Sequence, residues 1–330
     1  MKNTSCRSTL AAVFVVCLCA MPAQAGLLFY EGFAPNAAPT GPYDYQPGEP
    51  LAASPDPNGT QENGQYNEDS PHASKYWRYI GSGAANTAAP KIDSTSGSLS
   101  YPGLLPSTGN KLAFDMTQIA SSRIQVANAI NSDTVYWSGL FQVSALGATL
   151  NTVNGALLGG FNNTVGPGAS ANAVGAVLRI RKDPTDGTKY NIGTAMNSST
   201  TAGNIQWSSG FTPSSTDTIF LIGAYEFVSG TNNDIAYMWI NPDISTFGAL
   251  TAPSPTLTSA PSVADSFASI STFNLRNVNT VGTVTALFDE LRVGTDWASV
   301  TTPEPSAFVM IGLAGVFAFA RRPHRRANGH

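Results

Sequence analysis

Apolar and polar residues alternate along most of the chain between Gly26 and Val300, in short runs that end at Gly, Pro, Asn or Ser. A two-residue period is typical of strands with one buried face, and no run of helical length repeats its apolar residues every 3.6 positions. The pattern therefore predicts strands throughout this region. In the run 134–144, one face is predicted to consist of Val135, Trp137, Phe141 and Val143.

The pattern also predicts how some strands pair. The runs 175–181 and 188–196 alternate on either side of the turn-forming residues 183–187, which predicts a β-hairpin. The run 218–228 is apolar at nearly every position, which indicates a central strand buried on both faces. Many strands without helices predict an all-β fold, and the length of the chain favours a two-sheet jelly-roll sandwich. Further strands are predicted at 233–241 and 286–293.

Composition narrows the class of protein. Only 12% of the 330 residues are charged, about half of the roughly 25% that is usual, while 42% are hydrophobic. The low charged fraction and the high hydrophobic content exclude a disordered polyelectrolyte. The net charge of −4 also argues against a basic nucleic-acid-binding protein.

The N-terminus has the three parts of a secretory signal peptide. Lys2 and Arg7 supply positive charge, the run 10–20 is apolar, and Ala23 and Ala25 are the small residues of a cleavage site. We therefore expect signal peptidase to cleave after Ala25.

The cysteines support export. Cys6, Cys17 and Cys19 all lie in the segment to be removed, so the mature chain has no thiol, disulfide or thiolate metal site. A lipoprotein anchor at Cys17 or Cys19 is the alternative, but a small residue is expected before such a cysteine, where Val16 and Leu18 stand.

The C-terminus has a second three-part signal. Pro303, Glu304 and Pro305 precede the apolar run 307–320. A basic tail follows, with Arg321, Arg322, Arg325 and Arg326.

The segment 302–326 resembles the PEP-CTERM sorting signal of Gram-negative bacteria. The resemblance implies recognition by an exosortase, a membrane cysteine protease-transpeptidase. A helix over 307–320 would be about 21 Å long, short of the roughly 30 Å hydrocarbon core, so we expect only transient membrane anchoring. A plain tail anchor is the alternative.

The net charge of the predicted mature domain differs from that of the whole chain, because both signals carry basic residues. The remaining domain has 11 basic and 20 acidic residues, a net charge of about −9. Such a domain is repelled by nucleic acid and by anionic lipid. We therefore expect no nucleic-acid partner.

Four short segments resemble a family of secreted planctomycete and verrucomicrobial proteins. They are Leu27–Phe33, Ser98–Leu104, Trp239–Pro242 and Phe288–Gly294. Such proteins are similar to concanavalin A-like, laminin-G-like β-sandwiches, so the resemblance implies that fold, and the family carries no assigned activity. We expect three parts: a signal peptide (1–25), a β-sandwich domain (26–300) and the sorting signal (302–326).

The sequence contains few residues that could form a catalytic site. His72 is the only histidine between the signals, so a Ser-His-Asp site would depend on it and an ordinary zinc site lacks ligands. Sandwich glycosidases commonly carry Glu-x-Asp-x-x-Glu on one strand, and this triplet is absent. Asp289 and Glu290 are adjacent and are predicted to point to opposite faces. We therefore expect no enzyme, with a glycoside hydrolase or lyase as the alternative.

Asp289 is the main candidate for a metal ligand. By strand alternation it is predicted to share a face with Leu287, Leu291 and Val293, and a carboxylate among aliphatic residues must be paired, hydrogen-bonded or metal-bound. One interpretation is a buried aspartate that accepts backbone amides or binds an Arg or Tyr. The other is a Ca²⁺ ligand completed by loop oxygens. Two more oxygen-rich loops contain Asp183 and Asp186, and Asn232, Asn233 and Asp234.

Sugar binding would need exposed aromatic rings. Trp137 and Trp239 lie in alternating strands and are predicted to be core residues. Trp77 and Trp207 flank loops and are the candidates for a sugar-stacking surface, although packing is the more common role of such residues.

Three hypotheses follow. The first is a non-enzymatic cell-surface or extracellular-matrix protein, exported to the envelope of a Gram-negative-type bacterium and associated with exopolysaccharide. The second is a lectin-like carbohydrate-binding module that depends on exposed Trp or Tyr, with or without Ca²⁺. The third is a polysaccharide-active enzyme with a carboxylate pair facing one cleft.

Overall fold

A computed structural model describes most of the expected domain. The described residues are 26–35, 45, 47–52, 71, 76–80, 90–95, 97–107, 109–115, 120–148, 150–165, 174–261, 263–277 and 284–302. The two predicted signals, apart from Thr302, and His72 lie outside these ranges. No helix within these ranges has the length and apolar character needed to cross a membrane.

The described residues form fifteen strands and one short α-helix. The first strands are β1 (Leu27–Glu31), β2 (Arg78–Ile80), β3 (Lys91–Ile92), β4 (Leu112–Asp115), β5 (Ala120–Ile130), β6 (Thr134–Ala145), β7 (Ala156–Asn162) and β8 (Gly175–Lys182). The remaining elements are β9 (Tyr190–Thr194), β10 (Gln206–Trp207), β11 (Ile219–Glu226), β12 (Ile235–Ile240), β13 (Leu257–Thr258), β14 (Ile270–Asn277), β15 (Thr285–Gly294) and α1 (Trp297–Thr301).

The strands form two antiparallel sheets, which confirms the predicted two-sheet β-sandwich. The eight-stranded sheet has the order β13-β12-β11-β6-β15-β4-β3, and β1 also pairs with β15. The seven-stranded sheet has the order β10-β9-β8-β7-β14-β5-β2. The predicted hairpin is β8–β9, and the predicted central strand is β11, which pairs with β6 and β12.

The main core lies between the sheets and follows the two-residue period. The predicted inner face of β6, which includes Trp137 and Phe141, is buried in this core. Leu178 and Ile180 of β8 face it from the other sheet, so Arg179 and Arg181 lie on the opposite face of β8. This alternation determines which side chains reach the outer face of the seven-stranded sheet.

A second apolar cluster covers the outer face of the eight-stranded sheet. Trp239 and Trp297 pack edge to face with ring centroids 5.2 Å apart, and Leu99 and Val300 belong to the same cluster. Trp239 is therefore buried, although it lies outside the main core. These side chains cover the outer face of the eight-stranded sheet where the cluster lies.

A β-bulge in β15 changes the predicted orientation of Asp289. One edge of β15 pairs first with β4 and then with β1, and the pairing with β6 on the other edge shifts between Asp289 and Arg292. Glu290 has a φ of +56°, which is typical of such an irregularity rather than of a regular strand. The extra residue reverses the alternation, so that Phe288 and Leu291 both face the core.

Two predictions about this strand are therefore wrong. Asp289 does not share a face with Leu291 and Val293, but lies on the outer face with Leu287. Glu290 lies on the same outer face, where its carboxylate accepts a hydrogen bond from the Tyr30 hydroxyl at 2.7 Å. The two carboxylates therefore do not point to opposite sides of the sheet.

Candidate functional site

A pocket lies at one end of the sandwich. Its volume is about 760 Å³, within the usual range for ligand sites. Three loops form it: the β5–β6 turn, the β11–β12 loop and the segment before β14. Its lining residues are Asn131, Ser132, Asp133, Phe227, Val228, Ser229, Gly230, Asp234, Asp265, Phe267 and Ala268.

Two aspartates hold the β11–β12 loop in place. Asp265 accepts hydrogen bonds from the backbone amides of Asn232, Asn233 and Asp234, at 2.8 to 3.0 Å. Asp234 accepts from the amide of Val228 at 2.8 Å. These bonds fix the loop backbone and keep one wall of the pocket in a defined shape.

Three aromatic rings lie beneath this loop. The Tyr225 ring stacks on Phe267 with centroids 5.0 Å apart and contacts Phe227 at 4.8 Å. The Tyr225 hydroxyl donates to Asp234 at 2.7 Å. Burial, followed by the bond to Asp234, raises the pKa of Tyr225 well above its usual value, so its hydroxyl stays protonated and donating. Phe227 remains half-buried and lines the pocket.

Asp133 is the exposed carboxylate of the pocket. It lies in the β5–β6 turn with a φ of +61°, and its carbonyl accepts a hydrogen bond from the Phe227 amide. Among the described residues, its side chain accepts only a local bond from Ser132, at 2.9 Å. The pocket thus combines an exposed carboxylate, hydroxyl and amide groups, and an aromatic ring, which suits a polyhydroxylated ligand better than an apolar one.

Asp289 is fully buried and has protein partners on both oxygens. Its Oδ2 accepts from the Leu99 amide at 2.7 Å and its Oδ1 from the Glu290 amide at 2.8 Å. Burial, followed by the negative charge of Glu290, raises the pKa of Asp289 well above its usual range. The first interpretation from the sequence, an aspartate that accepts backbone amides, describes this geometry.

Glu31 forms a second buried carboxylate cluster. It accepts hydrogen bonds from the Tyr45 hydroxyl at 2.5 Å, the Trp77 indole at 3.0 Å and the Phe33 amide at 2.9 Å. Phe33 stacks on Trp77 with centroids 6.4 Å apart. The cluster connects β1 to two distant segments of the chain and is closed to solvent, so its role is structural.

Carboxylates in the other oxygen-rich loop are also engaged by protein donors. Asp183 accepts from the hydroxyl and amide of Thr185, from the Asp186 amide and from Asn191. These bonds, first of all those from Thr185, lower the pKa of Asp183. Within the described ranges, no group of three or more His, Cys, Asp or Glu is arranged to hold a metal ion.

The two candidate tryptophans have different environments. Trp77, one of the two candidates for a sugar-stacking surface, is not available for that role because its side chain is fully buried beside Glu31. Trp207 is half-buried, and the Arg181 guanidinium lies 4.5 Å from its ring centroid. A Cβ at Gly193 would lie 2.4 Å from this ring, so only glycine allows the close approach. Trp207 is packed onto the sheet rather than presented to a ligand.

The sequence patterns indicated only part of this pocket. The oxygen-rich residues 232–234 lie in its fixed loop, but no sequence pattern indicated Asp133, Phe227 or Asp265 as site residues. No pattern along the chain links these three residues, because each lies in a separate short loop between alternating strands. The register of β5, β11 and β14 brings those loops to one end of the sandwich.

The chain has similar solved structures. A carbohydrate esterase from the Shiga toxin-encoding bacteriophage phi24B is 11% identical, with a TM-score of 0.40 over 67% of this chain and 91% of that chain. Lectin II from Ulex europaeus is 13% identical, with a TM-score of 0.34 over 67% and 93% of the two chains. The carbohydrate recognition domain of Emp46p is 9% identical, with a TM-score of 0.32 over 67% and 88%.

The β-sandwich fold itself is established by the two antiparallel sheets of this chain. No known protein-family pattern and no curated protein matches its sequence.

Proposed function

We propose that this protein is an exported, non-enzymatic carbohydrate-binding module whose site is the pocket formed by the β5–β6, β11–β12 and pre-β14 loops. The observation that carries the proposal is the exposed Asp133 carboxylate beside the half-buried Phe227 ring, in a pocket of about 760 Å³. Sugars present hydroxyl groups on their edges and C–H groups on their faces. This pair of side chains complements both.

The rigidity of the pocket supports the proposal. Asp265 and the ring stack of Tyr225 and Phe267 hold the loop before ligand binding, so little conformational entropy is lost when a sugar binds. Asn131, Ser132 and Ser229 add exposed polar groups at the rim. Exopolysaccharide is the partner that fits an exported protein with such a pocket.

Asp133→Gly is expected to weaken glycan binding about 10- to 100-fold, because a charged acceptor for sugar hydroxyls is removed. Glycine tolerates the φ of +61°, so the turn keeps its conformation. The measurement is a glycan array of neutral and acidic polysaccharides, followed by titration calorimetry on the best ligand, with and without Ca²⁺.

Asp217→Gly is the matched control. Asp217 is also an exposed loop aspartate, but it lies outside the pocket. Equal binding by both variants would reject the pocket as the sugar site. Release of reducing ends from a bound polysaccharide would instead favour the polysaccharide-active enzyme.

We also propose that the protein is exported through residues 1–25 and sorted through residues 302–326 by an exosortase-type protease. The support is sequence: Pro303, Glu304 and Pro305 precede the apolar run 307–320 and a tail with four arginines. Such a route would place the protein in the cell envelope or matrix.

Replacing Pro303, Glu304 and Pro305 by alanine is expected to leave most of the protein with an uncleaved C-terminus in a host that has an exosortase. Mass spectrometry of the C-terminal peptide measures this. Alanine at Pro253 and Pro255, a Pro-x-Pro motif inside the domain, is the control and should leave cleavage unchanged. Retention of the C-terminus by the native protein itself would instead support a plain tail anchor.

A further inference from the structure

The outer face of the seven-stranded sheet concentrates the arginines of the domain. Six arginines occur between residues 26 and 302, and five lie on strands of this sheet. Their neighbours in sequence, such as Ile124, Leu178 and Leu275, face the core, so the arginines point the other way. We call this surface the arginine face: Arg78, Arg123, Arg179, Arg181 and Arg276.

The strands that carry the arginine face contain no acidic residue, and Asp183, just after β8, is a carboxylate whose charge acts on Arg181. The domain as a whole has a net charge of about −9. A local cluster of positive charge in an acidic domain is not explained by solubility, because two of its members, Arg123 and Arg179, are buried. It is a pattern that attracts an anion.

Some of these arginines have structural partners. Arg179 donates to the carbonyls of Asn154, Ser198 and Ser199, at 2.9 to 3.1 Å. Arg181 packs on Trp207 and donates to Asn191. Neutral acceptors and an aromatic ring therefore account for two members of the face.

Arg123 differs from them. Its side chain is only 1% exposed, and none of its three guanidinium nitrogens has a hydrogen-bond partner in the described part of the chain. Burial, followed by the positive charge of Arg78, lowers the pKa of Arg123 to about 10, so the group stays charged at neutral pH. A buried charge without a partner is costly, and native proteins rarely keep one without a ligand or a function.

Asn274 lies directly beside Arg123. The two residues are register partners in β14 and β5, so their side chains stand about 5 Å apart on the same face. Asn274 is fully buried, and neither its amide nitrogen nor its amide oxygen has a partner within the described ranges. Arg276, two residues further along β14, lies on the same face and is half-buried.

We propose that Arg123 and Asn274 form an anion-binding site for an oxyanion, of the kind carried by the carboxylate of an acidic sugar. The guanidinium supplies paired N–H donors that match two oxygens of one anion. The Asn274 amide supplies a donor and an acceptor for a hydroxyl next to that anion. A neutral sugar would leave the buried charge uncompensated.

This anion site is separate from the loop pocket. Asn131 follows β5 and Ala268 precedes β14, so the pocket lies roughly 20 Å along the same two strands from Arg123 and Asn274. Asp133→Gly should therefore leave anion binding unchanged. The two sites can succeed or fail independently.

Thermal unfolding of the purified protein with four probes tests the proposal: tri-galacturonate, a neutral galactose trimer, acetate and inorganic phosphate. We expect tri-galacturonate to raise the melting temperature and the neutral trimer to have no effect. An equal response to phosphate or acetate would still support the anion site and would identify a free anion as its ligand. No response to any anion would overturn the proposal.

Two variants locate the response. Arg123→Met removes the buried charge, and Asn274→Asp places a carboxylate beside it, so each should weaken anion binding about 10- to 100-fold. Asn274→Asp should also raise the melting temperature without any anion, because the guanidinium gains a partner. Lys182→Met removes one positive charge from the same sheet and should bind as the native protein does. An anion response that persists in both site variants would overturn the proposal.

Discussion

Glu31→Leu is expected to lower the free energy of unfolding by about 3 kcal/mol or more. The substitution removes the common acceptor of the Tyr45 hydroxyl, the Trp77 indole and the Phe33 amide, all of which are buried. Each buried donor left without a partner costs about 1–3 kcal/mol. Leucine restores apolar volume but none of these hydrogen bonds. Urea unfolding followed by tryptophan fluorescence measures the change.

Glu226→Leu is the matched control for Glu31. Glu226 lies at the end of β11 and accepts a hydrogen bond from the Tyr237 hydroxyl at 2.6 Å, but both residues are only partly buried. Water can replace this bond, so the expected loss is about 1 kcal/mol or less. A similar small loss for Glu31→Leu would show that water reaches its donors and that the cluster contributes little to stability.

Trp77 illustrates what strand periodicity could not predict. Short polar segments surround it in sequence, which suggested an exposed position near loops. It is fully buried, and its indole donates to Glu31, which is 46 residues away in β1. A non-local acceptor of this kind leaves no periodic signal near the tryptophan itself.

Asp289 shows the same limit for strand orientation. The alternation of residues correctly predicted the inner face of β6, because β6 pairs with β11 without a register shift and the extra residue opposite Ser138 and Leu140 lies in β15. In β15 the two edge partners β4 and β1 meet at Asp289 and Glu290, and the bulge there reverses the alternation. The position of a bulge depends on the partners of a strand rather than on its own residues.

The two proposed sites also combine features that the sequence pattern predicts with features that depend on contacts between distant segments. Arg123 and Asn274 lie in regular strands, so alternation alone would have placed both on the outer face, but their proximity needed the register of β5 and β14. The pocket needed three loops to meet, as Asp133, Phe227 and Asp265 do. Sequence patterns therefore predicted the sandwich and its core, whereas register and loop placement created the candidate sites.

Trp137→Ala is expected to have the largest effect on the sandwich itself, lowering the free energy of unfolding by about 3–5 kcal/mol. Trp137 belongs to the eight-stranded sheet and is fully buried. Its indole donates to the Ala176 carbonyl at 3.0 Å, and its ring contacts Phe273 at a centroid distance of 5.6 Å, both in the other sheet. Alanine would remove this connection and leave a cavity between the sheets. Equilibrium urea unfolding measures the loss.

Trp137→Phe separates the two contributions. Phenylalanine keeps much of the apolar contact but cannot donate to the Ala176 carbonyl, so the expected loss is about 1–3 kcal/mol. Gly223 limits how the core can adapt, because a Cβ there would lie 2.2 Å from the indole nitrogen of Trp137. Filling the cavity of Trp137→Ala by Gly223→Ala should therefore recover part of the lost stability, although Gly223→Ala alone destabilises the native protein. If the double variant is no more stable than Trp137→Ala, the two positions do not share that space.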